Sequence, residues 1–354
     1  MTHKTQLFGL GKALAIGATA LAFAGTTAQA RDLTIVSFGG TFQDAQRELF
    51  IAPFAAKLGK PVLDEAWEGG YGVLQAKVKA GQPNWDVVQV EAEELALGCA
   101  DGIYEKLDWE KLGGMDSYIP GGASECGAGH IVWSVAIAYD GNKLTGEQPT
   151  SWADFWDVEK FPGKRGLRKS AKYALEAALM ADGIAASDVY ATLATPEGVD
   201  RAFAKLDELR PNLVWWEAGA QPLSMLQTGD VVMSSVYNGR ITGLNLAEGT
   251  NMKLVWNQSI YAVDSWVILA GAENKDEGLD FIAFANAPEH LSKLPETIAY
   301  GLPVKAAAEM VPAEFAPDLP TYADNLAVSI SLDVDYWVDN SERLTERFNA
   351  WVAQ

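Results

Sequence analysis

The chain has 354 residues, of which 27 are lysine or arginine and 47 are aspartate or glutamate, so its net charge at neutral pH is −20. This acidity argues against nucleic acids and anionic membrane surfaces as partners, and it is compatible with cationic or zwitterionic ligands. The length exceeds that at which one hydrophobic core keeps growing, and a composition of 49% hydrophobic and 21% charged residues is ordinary for a globular protein. We therefore expect two domains.

The first thirty residues have the pattern of a secretory signal peptide. Lys4 and Lys12 precede a short apolar run over residues 13–25, and the small-x-small sequence Ala28-Gln29-Ala30 follows. The apolar run is too short to span a bilayer. We therefore expect cleavage after Ala30 and a location in the periplasm.

Cys99 and Cys126 are the only cysteines in the sequence. In an exported chain they have one possible intramolecular pairing, and we predict a disulfide, which would stabilise the fold by roughly 3 kcal/mol. Two buried free thiols are the alternative. Only His130 and His290 lie beyond the predicted signal peptide, so a zinc site or a Ser-His-Asp triad is poorly supplied with ligands or bases. We expect no metal and no cofactor.

Strands and helices alternate along the chain. A β-rich run at residues 33–37 ends in a glycine pair and is followed by a helical pattern over residues 41–58. Ser151 has the position of a helix N-cap. Further strands are predicted at 61–67, 85–90, 131–139, 164–167, 231–237 and 260–269. Further helices are predicted at 71–80, 171–181, 196–209, 221–228, 276–287 and 341–352. This alternation predicts an α/β fold with mostly parallel sheets.

Five short motifs, in this order, resemble those of the spermidine/putrescine-binding proteins of bacterial ABC importers. They are Ser151-Trp152-Ala153-Asp154-Phe155, Tyr237-Asn238-Gly239, Val263-Asp264-Ser265, Glu296-Thr297-Ile298-Ala299-Tyr300 and Pro303. The resemblance covers essentially the whole chain after residue 30. It implies a two-lobed periplasmic-binding-protein fold, each lobe a mostly parallel sheet flanked by helices, with the ligand in the interlobe cleft. It also implies a monomer that works with permease subunits in the inner membrane.

The resemblance further implies how the chain divides between the lobes. Lobe 1 is expected to comprise residues 31–139 and about 265–308, and lobe 2 residues 140–264 and about 309–354. Crossings between the lobes are expected near Tyr139, near Asp264 and within residues 303–312. Ligand that bridges both lobes would drive their closure.

Ligand-contacting positions are carried over from the family one by one. The loop after the first strand contacts ligand in the family, and here it contains Phe38, Gly39 and Gly40. The glycines let backbone amides approach an anionic group at a helix N-terminus, or they form a plain tight turn. Glu91 and Glu93 follow the third strand and suit an ammonium ion, although they would also stabilise a helix N-terminus.

Asp264 falls on the carboxylate that holds an amine in polyamine binders. A carboxylate within so apolar a strand needs a partner if it is buried, and a structural ion pair or cap is the alternative reading. Tyr237 falls on an aromatic wall of the family's cleft and Tyr300 on another contact. Trp215 and Trp216 are further candidates for cleft walls, but adjacent strand residues point in opposite directions, so at most one is expected to face the ligand.

The sequence departs from polyamine binders over residues 168–173. The family places acidic residues there, whereas this chain has Arg168, Lys169 and Lys172 and no carboxylate. Ser170 and Tyr173, from the same segment, remain candidate ligand contacts.

A second departure follows the Asn-Gly motif, where Arg240 is a fork-shaped donor suited to a carboxylate. An aromatic residue expected just before Asp264 is replaced by Ala262. A ligand with amines at both ends would meet positive charge at one end, which favours a ligand with one ammonium and one anionic group.

We therefore predict a solute-binding protein, not an enzyme, that captures an amine-containing zwitterion such as a γ-aminobutyrate-like ω-amino acid. Asp264, with Glu91 or Glu93, would hold the ammonium group. Arg240 would hold the carboxylate, helped by the Gly39 and Gly40 amides and by Arg168.

Three alternatives stay open. A polyamine binder would require Arg168 and Lys169 to point away from the cleft. An anion or metal binder on the same fold is the second, and iron binders usually offer clustered tyrosines, which the isolated Tyr237 and Tyr300 do not provide. An exported hydrolase is the third, but no serine has a nucleophile motif around it.

Overall fold

The computed structural model describes residues 31–81 and 83–354, so the predicted signal peptide lies outside the described residues. The strands are β1 (Leu33–Ser37), β2 (Val62–Ala66), β3 (Val87–Val90), β4 (Ala128–Asp140), β5 (Arg165–Arg168), β6 (Leu213–Trp216), β7 (Met233–Tyr237), β8 (Met252–Ile268) and β9 (Ile330–Ser331). The α-helices are α1 (Thr41–Gln46), α2 (Ala52–Leu58), α3 (Tyr71–Lys79), α4 (Ala92–Ala100), α5 (Trp152–Trp156), α6 (Ala171–Ala181), α7 (Val189–Leu193), α8 (Pro196–Leu209), α9 (Gln221–Thr228), α10 (Asn238–Glu248), α11 (Lys275–Ala285), α12 (Pro288–Leu291), α13 (Lys305–Ala308), α14 (Ala323–Leu326) and α15 (Val334–Val352).

The described strands form one sheet in the order β2-β1-β3-β8-β4-β7-β5-β6, with β9 beside β8. β1 pairs in parallel with β2 and β3, and β5 pairs in parallel with β6 and β7. β8 and β4 are antiparallel to each other and to their outer neighbours β3 and β7. The sheet therefore consists of a first half, β1 to β3, and a second half, β5 to β7, each internally parallel and joined by two long antiparallel strands. The lobe boundaries given above stay a prediction.

Most predicted elements are confirmed, some with different bounds. β8 begins at Met252 rather than at residue 260. Lys253, Asn257 and Gln258 interrupt its first part, so the sequence shows no continuous apolar run there. The helix predicted over residues 41–58 is confirmed, with a π-helical turn, Arg47–Ile51, between α1 and α2. Ser151 caps α5 as predicted, since its hydroxyl accepts a hydrogen bond from the Asp154 amide.

The C-terminal helix, α15, is longer than predicted. It begins at Val334 instead of Ser341, because the Asp333 side chain accepts a hydrogen bond from the Tyr336 amide at 2.9 Å and so caps the first turn. Trp337 in that turn is buried. The helix therefore packs along its whole length against the rest of the protein.

The predicted disulfide joins Cys99 at the end of α4 to Cys126 just before β4, with the two Cα atoms 6.0 Å apart. The disulfide holds the C-terminal end of α4 in place. The first turn of this helix follows β3, close to the junction of the two halves of the sheet. Over residues 31–81 and 83–354, no helix has both the length and the apolar character needed to cross a membrane.

Candidate functional site

A cavity of about 60 Å³ lies where the two halves of the sheet meet. One water molecule needs roughly 10–15 Å³ on this scale, so the cavity suits a ligand of few non-hydrogen atoms. The predicted ligand contacts that line it are Phe38, Glu91, Arg168, Tyr237, Arg240, Asp264 and Tyr300. Several of these stand at or just beyond the carboxyl ends of parallel strands, which is where open α/β sheets usually bind ligands.

Asp264 is a buried carboxylate in the middle of the sheet, on β8. The residue is only 4% exposed, and its Oδ1 accepts a hydrogen bond of 2.6 Å from the indole Nε1 of Trp133. Burial, together with the nearby charge of Glu91, raises the pKa of Asp264 well above its ordinary range, although the Trp133 bond opposes this. A ligand ammonium group beside Asp264 would relieve that cost of charging it.

Arg240, in the first turn of α10, faces the same cavity from the second half. Its Nη2 donates to the carbonyl oxygen of Gly39 at 3.2 Å, across the gap between the halves. Within residues 31–81 and 83–354, no carboxylate lies within 4.0 Å of this guanidinium, and its buried Nε has no hydrogen-bond partner. An unpaired planar donor of this kind is suited to a ligand carboxylate. Gly39 thus contacts Arg240 through its carbonyl group. Neither Gly39 nor Gly40 is among the lining residues, and a contact of their amides with ligand stays a prediction.

Glu91 and Glu93 do not stand free in the cavity, because they pair with cations from the second half of the sheet. Lys172 Nζ lies 2.5 Å from Glu91 Oε2 and 2.8 Å from Glu93 Oε1. Arg168 Nη1 lies 3.8 Å from Glu91 Oε1. We call these four residues the Lys172 cluster. Burial acts to raise the pKa of Glu91, but Lys172 and Arg168 outweigh it and hold that pKa below its ordinary value.

Aromatic rings enclose the space between Asp264 and Arg240. The rings of Trp133 and Tyr237 meet edge to face with centroids 5.1 Å apart, and those of Phe42 and Tyr300 meet in the same way at 5.1 Å. Such arrangements let rings exclude water from a small cavity, and the Arg168 guanidinium lies over the Tyr237 ring, 5.7 Å from its centroid.

The other predicted site residues lie outside the cavity lining. Glu93 contacts Lys172 instead, and Ser170 stands at the start of α6. Tyr173 packs behind the cavity, with its ring 5.7 Å from that of Trp133. Trp215 packs against Phe348 and Trp351 of α15, with centroids 5.5 and 5.9 Å away.

Trp215 and Trp216 point in opposite directions, as expected on a strand. Trp216, which the prediction weighed beside Trp215, is the one whose ring meets Tyr237, at 5.6 Å. Trp215 lies on the face of the sheet opposite to Trp216, so its side chain packs against the C-terminal helix rather than facing the cavity.

Six further residues line the cavity that were not among the predicted contacts: Phe42, Glu68, Ile131, Trp133, Glu217 and Gly219. Ile131 and Trp133 reach the cavity because β4 pairs with β8 so that Ile131 is opposite Asp264, and this register is not readable from one sequence. Glu68 could have been found, since it follows the strand predicted over residues 61–67, whereas Glu217 follows β6, for which no strand was predicted.

Comparison with known proteins agrees with this geometry. The family described as "Bacterial extracellular solute-binding protein" matches residues 61–323. A gamma-aminobutyric acid-binding protein of Pseudomonas aeruginosa is 47% identical over 335 residues, which are 94% of this chain and 95% of that protein. A spermidine/putrescine-binding periplasmic protein of Escherichia coli is 26% identical, over 77% of this chain and 78% of that protein.

Solved structures of similar fold include three that differ in ligand state or description. The PBP MotA from A. tumefaciens B6, in complex with glucopine, has a TM-score of 0.83 at 29% identity, over 91% of this chain and 99% of that one. A GABA receptor has a TM-score of 0.80 at 33% identity, over 91% and 97%. The A. tumefaciens C58 PBP AttC, in an open unliganded conformation, has a TM-score of 0.66 at 28% identity, over 91% and 99%.

These matches confirm the resemblance inferred from the sequence and the two-lobed α/β fold, and the matching proteins serve transport rather than catalysis. The family match covers most of the chain, and the similarity to the Pseudomonas aeruginosa protein extends over nearly all of both sequences. The chain therefore belongs to the bacterial extracellular solute-binding protein family.

Proposed function

We propose that this protein captures a small ω-amino acid, of about the length of γ-aminobutyrate, for uptake by an ABC importer. One observation carries the proposal. Four buried or half-buried charged residues line the cavity. Two of them, Glu91 and Arg168, form an ion pair, and Glu91 also pairs with Lys172. The other two, Asp264 and Arg240, have no ion partner among the described residues. One carboxyl group that an ammonium group would help to ionise and one guanidinium without an ion partner suit a zwitterion.

The two ends of the ligand would meet different chemistry. Asp264 would accept hydrogen bonds from the ammonium group, while Trp133 holds the carboxylate in place from behind. Arg240 would donate to the carboxylate in the fork geometry that guanidinium offers. Tyr237 and Tyr300 would cover the methylene groups between the two ends.

Similarity supports the same ligand class. The relative at 47% identity is named for gamma-aminobutyric acid, and the polyamine-binding relative is more distant at 26% identity. Because the 47% identity extends over nearly the full length of both chains, we expect a related ligand for this protein.

A diamine is the competing ligand, and the cavity has a feature that favours it. Glu68 and Glu217 also line the cavity, and a second ammonium group would find a carboxylate there. However, Arg168 faces the cavity rather than solvent, contrary to what a polyamine binder requires, and Lys169 already pairs with Glu217 at 2.9 Å. The balance of charge therefore favours a zwitterion.

The proposal includes where the protein acts and with what. After removal of residues 1–30, the chain would act in the periplasm as a monomer and deliver its ligand to permease subunits in the inner membrane. The extracellular character of the matching family supports this location. Nucleic acid is not expected as a partner, because the chain is strongly acidic.

The clamp is tested by isothermal titration calorimetry on Arg240→Ala and Asp264→Asn, with γ-aminobutyrate as the ligand. Each change removes a charge-assisted hydrogen bond, and we expect each to weaken binding by about tenfold to a hundredfold or more. Arg343→Ala is the matched control, because its guanidinium is exposed and donates a hydrogen bond to Asn340 within α15. Far-UV circular dichroism should show all three variants folded. Unchanged affinity in a folded Arg240→Ala protein would refute the carboxylate assignment.

A further inference from the structure

We propose that Lys172, together with Glu91 and Glu93, forms a latch between the two halves of the protein that assembles as the cleft closes on its ligand. Lys172 and Glu93 are positioning residues in this proposal, since neither lines the cavity. The inference deepens the proposed function, because it names residues away from the ligand that set how tightly the ligand is held.

The latch joins elements that no sheet hydrogen bond connects. Glu91 and Glu93 stand at the start of α4, directly after β3 of the first half. Lys172 stands at the start of α6, directly after β5 of the second half. The Lys172 ammonium contacts both carboxylates, at 2.5 Å and 2.8 Å, so a separation of the halves by a few ångströms would break both contacts.

The ions of the latch are largely shielded from water. The side chain of Lys172 is 17% exposed, that of Glu91 is 17% exposed and that of Glu93 is 11% exposed. Shielded charges attract more strongly than exposed ones, and screening by salt affects them less. The pKa of Lys172 is lowered by burial but raised more by Glu91 and Glu93, so that it stays above its ordinary value and the ammonium remains charged.

The backbone at Lys172 is held in an unusual turn that directs its side chain toward the first half. Lys172 has an extended ψ of 132°, and Tyr173 has a φ of 74°, a region that bulky residues rarely adopt. The Tyr173 amide donates to Glu176 Oε2 at 2.8 Å, and Trp337 Nε1 of α15 donates to Glu176 Oε1 at 2.6 Å. A buried carboxylate tied to the C-terminal helix therefore maintains the turn.

The latch is present in a structure that resembles a liganded neighbour more than an open one. At nearly equal sequence identity, the similarity to the glucopine complex is greater than the similarity to the open unliganded protein. Glu91 belongs both to the latch and to the cavity lining, so it links the ligand site to the contact between the halves.

A double-mutant cycle on ligand affinity tests the latch. Glu93→Gln, Lys172→Met and the double variant are titrated with γ-aminobutyrate by calorimetry. We expect Glu93→Gln to weaken binding about tenfold and Lys172→Met at least as much, since a buried ion pair that exists only in the closed state adds to the binding free energy. The double variant should bind no more weakly than Lys172→Met, because the Glu93 carboxylate has lost its partner already.

A second ion pair provides the matched control. Lys205 has a side chain 16% exposed, close to the exposure of Lys172, and it lies 2.7 Å from Glu208 three residues later. Both residues are on α8, so closure cannot change their distance. Lys205→Met, Glu208→Gln and their double variant should bind γ-aminobutyrate like the wild-type protein.

Two results would overturn the latch. One is a Glu93→Gln protein with unchanged affinity, and this variant alone decides the matter if Lys172→Met does not fold. The other is a double variant whose loss equals the product of the two single losses, because independent effects mean no contact in the bound state. If the wild-type protein binds putrescine and not γ-aminobutyrate, the proposed function fails, and the same cycle titrated with putrescine still decides the latch.

Discussion

The position of Arg240 depends on a residue that has no side chain. A Cβ atom added at Gly219 would lie 2.7 Å from Arg240 Nε and 3.1 Å from the Tyr237 ring, closer than side chains pack. Gly219 has no positive φ that would require glycine for the backbone. Glycine at this position therefore serves the placement of the guanidinium in the cavity.

Gly219→Ala should weaken binding of γ-aminobutyrate with little change in stability. The methyl group displaces the guanidinium, and a misplaced charge-assisted hydrogen bond should cost about tenfold in affinity. The free energy of unfolding should change by no more than about 1 kcal/mol, because alanine restricts the unfolded chain while its methyl group crowds the Tyr237 ring. Gly146→Ala is the control, since a Cβ atom there has no neighbour within 4 Å. Equal affinities of the two variants, measured by calorimetry, would contradict this role of Gly219.

Some charged residues of the cavity lining could be predicted from the sequence, whereas the partners of these residues could not. Asp264 and Arg240 stand out because each is a charged residue within or beside an apolar strand, and both line the cavity. Trp133, which donates to Asp264, sits in an apolar run with nothing to distinguish it from core residues. Its contact depends on the register between β4 and β8, which side-chain patterning leaves undetermined.

At the scale of elements, α6 and α15 meet at a single buried carboxylate. Glu176 is fully buried and accepts hydrogen bonds from the Tyr173 amide, from Trp337 Nε1 and from the Tyr190 hydroxyl. Burial raises the pKa of Glu176 from 4.5 to about 7, although these hydrogen bonds oppose the shift.

This pKa makes stability depend on pH in a defined direction. Between pH 4.5 and about pH 7 the folded protein keeps the Glu176 proton that the unfolded chain has released, so the free energy of unfolding falls as pH rises. The total contribution is about 3 kcal/mol. Glu176→Gln cannot titrate, so its free energy of unfolding, measured with urea at several pH values, should rise relative to wild type by about that amount over the same window. Parallel profiles for the two proteins would show that Glu176 does not titrate as described.

Helices and strands could be predicted where apolar residues repeat regularly. They could not be predicted where hydrogen bonds of buried polar side chains determine the local structure. The helix over residues 196–209 has the bounds predicted, because its apolar face repeats regularly. In contrast, no helix was predicted at Asn238 and Gly239, a residue pair common in turns, yet these two residues begin α10. The Asn238 side chain is buried, where it accepts from the Ser134 amide at 2.9 Å and donates to the Ala299 carbonyl at 2.6 Å. Such long-range contacts override the local preference of asparagine and glycine.

At the scale of the whole molecule, the ligand site and the contact between the halves are one continuous structure. Asp264 and Trp133 stand on the strands that join the halves, Arg240 reaches from the second half to Gly39 of the first, and the Lys172 cluster bridges them alongside. A ligand that binds between Asp264 and Arg240 therefore contributes to the same interface as the latch. Ligand binding and closure should then stabilise each other.

Asp264 and Arg240, the buried or half-buried charged residues in the cavity lining without an ion partner among the described residues, should select a zwitterion. The most direct test is calorimetric titration of the wild-type protein, without residues 1–30, with γ-aminobutyrate and with putrescine, which have carbon chains of equal length and differ at one end. We expect tight binding of γ-aminobutyrate and, for putrescine, binding weaker by about a hundredfold or more, because its second ammonium group would face Arg240. Binding of putrescine as tight as that of γ-aminobutyrate, or tighter, would refute selection of a zwitterion by Asp264 and Arg240.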